Sequence, residues 1–411
     1  MWHKTRQGLD VRSLALAHRI QQDRAVRVGT STDDVRRRNL SSVLTLVHRH
    51  RSLSRADLTR HTGLSRSTTK DLVEELVALG LVDESPAPSV SQVGRPSPIV
   101  RPSDRVLTVA VTPEVDAVTV GLVSLGGAVL DVTRRPTTGV PTPQDTVAIT
   151  AEAIGDIRRA LRDEQTVTAV GVAVPGLVHG RTSFVQLAPN LDWHDVELGE
   201  MLSAATGLPV YAGNDANVGA IAEHLFGGHH DVEDLIYVNG GPSGIGAGFV
   251  VAGDLLQGVA GYAGELGHTF VGGRRLCHCG SVGCLETEVT QAPLTHLLAD
   301  LDSVVDDGAF RESDRAGRDE LLRQAGVLAI ALGNAINMLN PGLIVLGGFL
   351  RVFPAFAPAV LRDELVQRTM SAPRSLVRIV PATLGPDTLV IGAAELAFAP
   401  VLADPGGVQV G

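Results

Sequence analysis

Residues 261–286 read GYAGELGHTFVGGRRLCHCGSVGCLE and contain all three cysteines of the 411-residue chain. The cysteines follow a C-x-C-x4-C pattern: Cys277, Cys279 and Cys284. His268 lies nine residues before the first of them. Three thiolates and one imidazole form a tetrahedral ligand set that suits Zn²⁺, and four protein ligands close the site to a substrate water. The pattern therefore predicts a structural zinc site, with His278 as the rival fourth ligand.

Other uses of the three cysteines fit less well. An odd number of cysteines within eight residues does not form a disulfide framework, and a bridge within C-x-C would be strained. Free buried thiols in a reducing cytoplasm and a redox pair are the alternatives. The first 20 residues carry charges throughout and lack the apolar core of a signal peptide. The most apolar stretch, 327–349, is interrupted by asparagines, glycines and a proline. We therefore expect a cytoplasmic protein without a membrane span.

Charge is distributed unevenly along the chain, whose total is −10. Residues 35–101 contain eleven Lys and Arg against six Asp and Glu, so this segment carries +5 and the remainder −15. A basic segment attracts polyanions, whereas an acidic body repels them. The asymmetry predicts a nucleic-acid-binding module attached to a body with another role.

The basic segment has the pattern of a winged helix-turn-helix, which we place at residues 35–103. Its first helix shows apolar residues at helical spacing from Leu40 onward. Two further helices, 55–61 and 66–79, flank a turn at Gly63, where glycine can adopt a positive φ. Two strands, 81–84 and 98–100, would form the wing.

The second helix of the pair would enter the major groove with its N-terminal end first. That end offers hydroxyl groups and cations, which suit base edges and phosphates. The predicted DNA contacts are Ser65, Arg66, Ser67, Thr68, Thr69 and Lys70, together with Arg95 in the wing. A three-helix protein-interaction module is the alternative. Residues 1–34 form a tail for which the sequence predicts no role.

From residue 105 onward, strand-like and helical segments alternate, as is typical of an α/β body. The predicted strands are 106–111, 117–123, 128–132, 167–174, 209–212, 235–239 and 343–346. The predicted helices are 146–162, 218–226 and 319–339.

The segment from Gly261 to Glu286 resembles the zinc and sugar signature of the ROK family (repressors, open reading frames, sugar kinases). Three other segments are similar to motifs of that family: Gly213-Asn214-Asp215-Ala216-Asn217, Ala188-Pro189-Asn190-Leu191-Asp192-Trp193 and Asn340-Pro341-Gly342-Leu343-Ile344-Val345-Leu346-Gly347-Gly348. The resemblance covers about residues 36–398.

For residues 104–411, the resemblance implies a two-lobed, actin-like (ribonuclease-H-like) domain with a sugar cleft between the lobes. Lobe one would span about 104–225 plus the C-terminal helix, and lobe two about 226–385. A winged helix in front of this domain is typical of ROK transcriptional regulators, the group that includes xylose and N-acetylglucosamine repressors.

The same resemblance implies five residues that would hydrogen-bond sugar hydroxyls: Asn214, Asp215, Glu265, His268 and Glu286. Carboxylates and amides are apt partners for the hydroxyls of a sugar ring. His268 would give one ring nitrogen to zinc and the other to the sugar. The ordinary alternatives are a helix cap at Asn214 and Asp215 and a solvated carboxylate at Glu265.

Kinases of the family carry a phosphate loop, Asp-x-Gly-Gly-Thr-Lys, after their first strand. Aligned without gaps, this chain has Thr112-Pro113-Glu114-Val115-Asp116-Ala117. The metal-binding Asp is replaced by Thr112, both glycines are lost, and two carboxylates stand where phosphates would bind. The second phosphate loop keeps Gly244-Ile245-Gly246-Ala247-Gly248 but has Pro242-Ser243 before it. Phosphoryl transfer depends on positioning and charge stabilisation, so we expect no enzymatic activity and no catalytic residue.

The sequence therefore predicts a sugar-responsive DNA-binding regulator, most simply a repressor of carbohydrate uptake or catabolism genes. Its partners would be a double-stranded DNA operator, a sugar or sugar phosphate effector, and further copies of itself in a homodimer or homotetramer. The alternatives are a ROK sugar kinase with an appended DNA-binding head and a zinc-dependent scaffold without a ligand.

Overall fold

The structure, a computed structural model, describes residues 32–86, 97–229, 231–241, 244–295, 297 and 315–407. Within these ranges the chain forms a small N-terminal head followed by two lobes, each built around a five-stranded sheet. Most of the predicted N-terminal tail, up to residue 31, lies outside the described residues.

The head contains three helices and three short strands. In chain order they are α1 (Thr32–His50), β1 (Leu53–Ser54), α2 (Arg55–Thr62), α3 (Arg66–Ala78), β2 (Val82–Ser85) and β3 (Ile99–Pro102). Strand β3 pairs antiparallel with both β1 and β2, so the sheet has three strands where the sequence predicted two. Two residues are too few to show a periodicity, which is why β1 escaped prediction.

Local signals in the sequence define the turn between α2 and α3. Ser54 begins α2 with a capping box, in which its hydroxyl accepts from the Asp57 N–H at 3.1 Å while its own N–H donates to the Asp57 carboxylate. Gly63 ends α2 with φ +69°, which glycine adopts without strain. Ser65 caps α3 by accepting from the Thr68 N–H at 3.1 Å. These caps define where α2 ends and where α3 begins.

Lobe one is a mixed sheet with the strand order β11-β7-β4-β5-β6. Its elements are β4 (Val106–Pro113), β5 (Ala117–Ser124), β6 (Ala128–Pro136), α4 (Pro143–Ala160), β7 (Thr166–Val174), α5 (Leu198–Thr206), β11 (Val210–Asn214) and α6 (Asp215–Phe226). A separate antiparallel sheet is inserted after β7: β8 (Leu177–His179), β9 (Phe184–Ala188) and β10 (Trp193–Val196).

Lobe two is a second five-stranded sheet, with the order β14-β13-β12-β15-β16. Its elements are β12 (Leu235–Gly241), β13 (Gly244–Val251), β14 (Asp254–Leu255), α7 (Leu285–Glu288), α8 (Arg315–Leu339), β15 (Leu343–Gly348), α9 (Val352–Phe356), α10 (Pro358–Arg368), α11 (Ser371–Leu376) and β16 (Arg378–Pro381). The last helix, α12 (Thr388–Ala403), returns to lobe one and packs on α6, β7 and β4.

All seven strands predicted for the body occur in the structure, with shifts of a few residues at their ends. The sequence missed β13, because its alternating glycines suggested a phosphate loop. It also missed the short strands β8, β9, β10, β14 and β16. Two helical segments, Gly317–Leu339 and Gly385–Ala403, are long and apolar enough for a membrane span, but 56% of each apolar window is buried inside the protein. Burial in the core accounts for their apolar character.

Candidate functional site

A cavity of about 330 Å³ lies between the two lobes. All five predicted sugar-binding residues line it: Asn214, Asp215, Glu265, His268 and Glu286. Lobe one supplies the first two at the junction of β11 and α6, and lobe two supplies the other three. The cavity therefore brings together five predicted side chains that lie up to 72 positions apart in the sequence.

Asn214 and Asp215 occupy the start of α6. The Asn214 side chain caps this helix, because its Oδ1 accepts from the Asn217 N–H at 3.1 Å and its Nδ2 donates to the Gly176 carbonyl at 3.0 Å. Asp215 Oδ1 accepts from the Ala216 N–H at 2.8 Å. The helix cap considered for Asn214 is thus present, and both residues also face the cavity.

Burial raises the pKa of Asp215 to about 6, and the charge of the nearby Glu265 adds to the shift. Burial likewise raises the pKa of Glu265, against the opposing effect of His268. Glu286 is 8% exposed, and its side chain closes the wall next to β13. A Cβ on Gly244 would lie 2.3 Å from Glu286 Oε2, so the glycine is needed for this close approach.

The predicted metal ligands also converge. Ligand atoms of His268, Cys277, Cys279 and Cys284 all lie within 4.8 Å of one another. The distance from Cys279 Sγ to Cys284 Sγ is 3.7 Å, and that from Cys277 Sγ to His268 Nδ1 is 3.6 Å. Zn–S and Zn–N bonds of about 2.3 and 2.0 Å in a tetrahedron separate their ligand atoms by about 3.5–3.8 Å. The four residues could therefore hold a metal ion.

A second group of four side chains also has its ligand atoms within 4.8 Å of one another: His268, Cys277, His278 and Glu286. His278 therefore stays open as the alternative fourth ligand. His278 Nδ1 lies 3.0 Å from Glu286 Oε1. Hydrogen bonding by the Ser281 backbone lowers the pKa of Cys279 to about 7, whereas burial raises the pKa of Cys277 and of Cys284. Thiolate is the ligand form of cysteine, so the lowered pKa of Cys279 favours its role as a metal ligand.

The two ring nitrogens of His268 face different neighbours. Nδ1 lies toward Cys277 and is 3.6 Å from Glu286 Oε1, while Nε2 lies 3.9 Å from Glu265 Oε2. One nitrogen thus faces the cysteine cluster and the other faces a carboxylate of the cavity wall. This is the orientation that a shared role in metal and sugar binding requires.

Two asparagines on the cavity wall were not among the predicted site residues. Asn190 lies in the short turn Pro189–Leu191, and Asn239 lies near the end of β12. The Pro-Asn-Leu segment around Asn190 was noted as a family motif, so the signal for this residue was available. A single asparagine at a strand end gives no such signal.

The turn that contains Glu114 and Asp116 connects β4 to β5. Its two carboxylates bind Arg134 of β6: the guanidinium lies 3.0 Å from Glu114 Oε2 and 2.6 Å from Asp116 Oδ1. Thr112 is 7% exposed, and its hydroxyl has no hydrogen-bond partner among the described residues. None of the residues 112–117 lines the cavity between the lobes. Pro242 and Ser243, which the sequence analysis compared with a second phosphate loop, lie outside the described residues.

The structure places the predicted DNA contacts at the start of α3. Ser65, Arg66, Ser67 and Lys70 are exposed, and Thr68 is half-buried. Thr69 is different: it is fully buried, and its hydroxyl donates to the Ser65 carbonyl at 3.1 Å and accepts from the Thr59 hydroxyl at 3.2 Å. The prediction that Thr69 contacts DNA is therefore wrong, because it lies on the inner face of α3 with Leu72 and Leu76.

Many cations of the head are already paired with its own carboxylates. Arg36 contacts Glu75, Arg55 contacts Glu84, and Lys70 lies 3.2 Å from Glu74. Arg66 has no ion-pair partner within the part of the chain that the structure describes, and its side chain faces solvent. It is thus the cation of α3 best placed for a phosphate or a guanine. Arg95 lies outside the described residues.

Comparisons with known proteins agree with this architecture. Residues 109–399 match the family model of the ROK family, and residues 39–86 match that of the IclR helix-turn-helix domain. The xylose repressor of Bacillus subtilis is 27% identical over 88% of this chain and 95% of its own. A glucokinase of Thermotoga maritima is 29% identical over 67% of this chain and 92% of its own.

Among solved structures, a ROK family transcriptional regulator, described as a homologue of the Escherichia coli MLC protein, superimposes with a TM-score of 0.71. It is 24% identical, and the match covers 90% of this chain and 97% of the other. The predicted fold class, a winged helix-turn-helix followed by a two-lobed ROK domain, is thereby confirmed.

The raised pKa of Asp215 gives a stability prediction. A carboxyl whose pKa rises from 3.8 to about 6 on folding contributes stability below pH 4 that is lost as the pH rises through 6. Asp215→Asn removes the ionisation and keeps an oxygen that can accept from the Ala216 N–H. We expect it to raise the free energy of unfolding at pH 7.5 by up to about 3 kcal/mol, and to have little effect at pH 4.

Denaturant unfolding at both pH values measures this difference. Asp145→Asn is the matched control, because hydrogen bonds from Thr142 lower the pKa of Asp145, and its replacement should destabilise the protein at pH 7.5. A loss of stability in Asp215→Asn at pH 7.5 would mean that the Asp215 charge is well solvated or paired.

Proposed function

This chain belongs to the ROK family, and from that premise we propose that it is a sugar-responsive DNA-binding repressor whose effector is an unphosphorylated sugar. The observation that carries the proposal is the charge of the cavity. Its wall contains the carboxylates of Asp215, Glu265 and Glu286, and none of the described residues on it is a Lys or an Arg. Carboxylates accept hydrogen bonds from hydroxyl groups but repel a phosphate.

The head supplies the second half of the proposed function. Ser65, Arg66, Ser67, Thr68 and Lys70 would contact DNA from the start of α3, the position that a recognition helix uses in the major groove. Two heads are needed to read a roughly palindromic operator, so we propose that the protein acts in the cytoplasm as a homodimer or homotetramer.

A kinase is the alternative that the glucokinase relatives raise. In this chain, however, Arg134 holds two carboxylates on the turn where a kinase of the family needs glycines. In the gap-free alignment with the family motif, the buried Thr112 would stand in place of the metal-binding carboxylate. We propose that this turn does not bind nucleotide. Asp215 would then accept a hydrogen bond from a sugar hydroxyl instead of acting as a general base.

We also propose that the cysteine cluster holds a metal ion and that this ion is zinc. The donor set supports this assignment, because three thiolates and an imidazole favour Zn²⁺ over hard cations. His268, Cys277, Cys279 and Cys284 would be the ligands. A bound zinc would act as a structural crosslink that fixes the ring of His268, and hence its Nε2 edge, at the cavity.

Sugar binding is the central test. Isothermal titration with D-xylose, D-glucose, N-acetyl-D-glucosamine and their phosphate esters should show stoichiometric binding of at least one free sugar and of no phosphate ester. Asp215→Ala should weaken that binding by about 10-fold or more, since it removes a charged acceptor for a hydroxyl. Asp116→Ala, which removes a carboxylate outside the cavity, is the control and should bind normally.

Two outcomes of this test would contradict the proposal. A zinc-loaded protein that binds none of the sugars would fit a scaffold better than a sensor. Phosphorylation of any of these sugars with ATP and Mg²⁺ that Asp215→Ala abolishes would establish the kinase instead.

The DNA-binding role is tested on Arg66. We expect Arg66→Ala to weaken binding to DNA fragments that the wild-type protein selects from a random library, by about 10-fold or more, and to leave sugar affinity unchanged. Arg159→Ala removes an exposed arginine from α4 of lobe one and should bind the same fragments like the wild type. If Arg66→Ala lowered DNA affinity and sugar affinity equally, α3 would not be the recognition helix.

The metal assignment is tested by mass spectrometry of metal content in purified variants. Cys279→Ser should lose stoichiometric zinc and unfold at a lower temperature, because a structural zinc contributes folding free energy. His278→Ala should keep its zinc if His268 is the fourth ligand. The reverse result, with zinc lost in His278→Ala and retained in Cys279→Ser, would favour the second group of ligands.

A further inference from the structure

A buried pair of ionisable side chains joins the DNA-binding head to lobe one. His48, on α1, and Glu395, on α12, lie 347 positions apart, and His48 Nε2 is 2.8 Å from Glu395 Oε2. Their side chains are 1% and 3% exposed. The pair lies within one apolar cluster that runs from the head, through Leu44 and Val47, into lobe one at Val390 and Phe398.

Groups from three more places in the chain surround the imidazole. The Gly126 N–H, in the turn between β5 and β6, donates to His48 Nδ1 at 2.9 Å. This bond leaves the hydrogen on Nε2, where it points to Glu395. Phe226, the last residue of α6, and Phe398 of α12 place their rings edge-on to the imidazole, with centroids at 5.4 and 5.8 Å.

Arg51, just after α1, also contacts Gly126 and Phe226. Together with the buried pair, these contacts form the junction between the head and lobe one, which we call the joint. Its Nε donates to the Gly126 carbonyl at 2.8 Å, and its guanidinium lies 4.7 Å from the centre of the Phe226 ring. The head thus contacts the end of α6 through both an imidazole and a cation.

Helix α6 connects this joint to the cavity. Its first residue, Asp215, lines the cavity, and its last, Phe226, contacts His48. Twelve residues at 1.5 Å per residue place the two ends about 17 Å apart. Near the end of α6, the buried Glu223 accepts from the N–H groups of Thr383 and Leu384, both at 3.0 Å. That segment leads into α12, so α6 contacts both sides of the joint.

The joint is not built for stability alone. Glu395 Oε1 is buried and has no hydrogen-bond partner among the described residues. A buried acceptor without a donor is unfavourable, and an apolar pair of similar size would avoid that penalty. A polar pair instead favours one arrangement of the head over others, because only that arrangement satisfies the hydrogen bond from His48.

We propose that α6 and the buried His48–Glu395 pair form the connection through which an occupied cavity changes the position of the DNA-binding head on lobe one. The proposal rests on the sugar-responsive function proposed above and names its route. A sugar that bonds to Asp215 binds the N-terminal end of α6. The helix carries any displacement as a rigid rod to Phe226 and, through Glu223, to α12. The hydrogen bond between His48 and Glu395 then either breaks or persists. The position of α1, and with it that of the whole head, changes accordingly.

The test compares operator affinity with and without saturating D-xylose, D-glucose or N-acetyl-D-glucosamine in wild type and Glu395→Ala. We expect the sugar to change the affinity of the wild type by about 10-fold or more, and that of Glu395→Ala by less than about 2-fold. Sugar affinity itself should stay within about 3-fold, since Glu395 does not line the cavity. A purely structural pair would lower stability and leave the sugar response intact, which would overturn the proposal.

Two further variants sharpen this comparison. Glu395→Gln keeps an oxygen that accepts from His48 Nε2 and should retain most of the response, and it also covers the case in which Glu395→Ala does not fold. Arg37→Ala removes an exposed ion pair with Asp404 at the same junction, at 3.6 Å, and should respond like the wild type. Loss of the response in Arg37→Ala as well would mean that any weakening of the junction uncouples the head.

A measurement without sugar separates this proposal from the proposed function. Asp215→Asn changes the cavity end of α6 and should alter hydrogen exchange of the α1 amides, residues 40–50, by about 3-fold or more beyond the change in the β15 amides, residues 343–348, which follows the global stabilisation expected of this substitution. In the Glu395→Ala background the same substitution should change the α1 and β15 amides equally. If no sugar binds but this difference appears, the sensor function fails and the connection stands. Equal effects in both backgrounds would overturn the connection.

Discussion

The close packing of α12 on lobe one is the constraint on which the rest of the structure depends. The helix is the last in the chain, and most of its side chains are buried against α6 and the central strands. Two glycines allow the contact: a Cβ on Gly171 would lie 1.8 Å from the Ala393 carbonyl oxygen, and one on Gly392 would lie 2.1 Å from that of Val218. Because α12 can come this close, one helix covers the sheet, supports α6 and carries Glu395 to the head.

The start of α6 shows how structural and binding roles share the same residues. Asn214 uses its oxygen to cap the helix and its amide nitrogen to hold Gly176, so its position is fixed before any ligand arrives. Asp215 then faces the cavity with a carboxyl whose pKa burial has raised to about 6. Keeping that carboxylate ionised at neutral pH lowers the stability of the empty protein, and hydroxyl donors from a ligand would offset the penalty.

Sequence patterns predicted most of the fold because the signals were local. Capping residues, the turn at Gly63 and the apolar period defined the head, and alternating strands and helices defined the body. The cysteine spacing predicted a cluster that the structure brings within metal-binding distance. The prediction for Thr69 fails because its sequence neighbours carry exposed hydroxyls, whereas helical geometry turns Thr69 inward. The His48–Glu395 contact could not be foreseen, since nothing in the sequence near either residue refers to the other.

The cysteine cluster and helix α6 lie on opposite walls of the cavity, and this placement decides their proposed roles. The cysteine cluster belongs to lobe two, where a metal would fix His268 and stiffen one wall. Helix α6 belongs to lobe one and, unlike the cluster, reaches the head through Phe226. A ligand that bonds to both walls would couple the position of α6 to a wall that a bound metal stiffens. The arrangement therefore favours transmission through lobe one, with the metal loop as the fixed support against which the ligand acts.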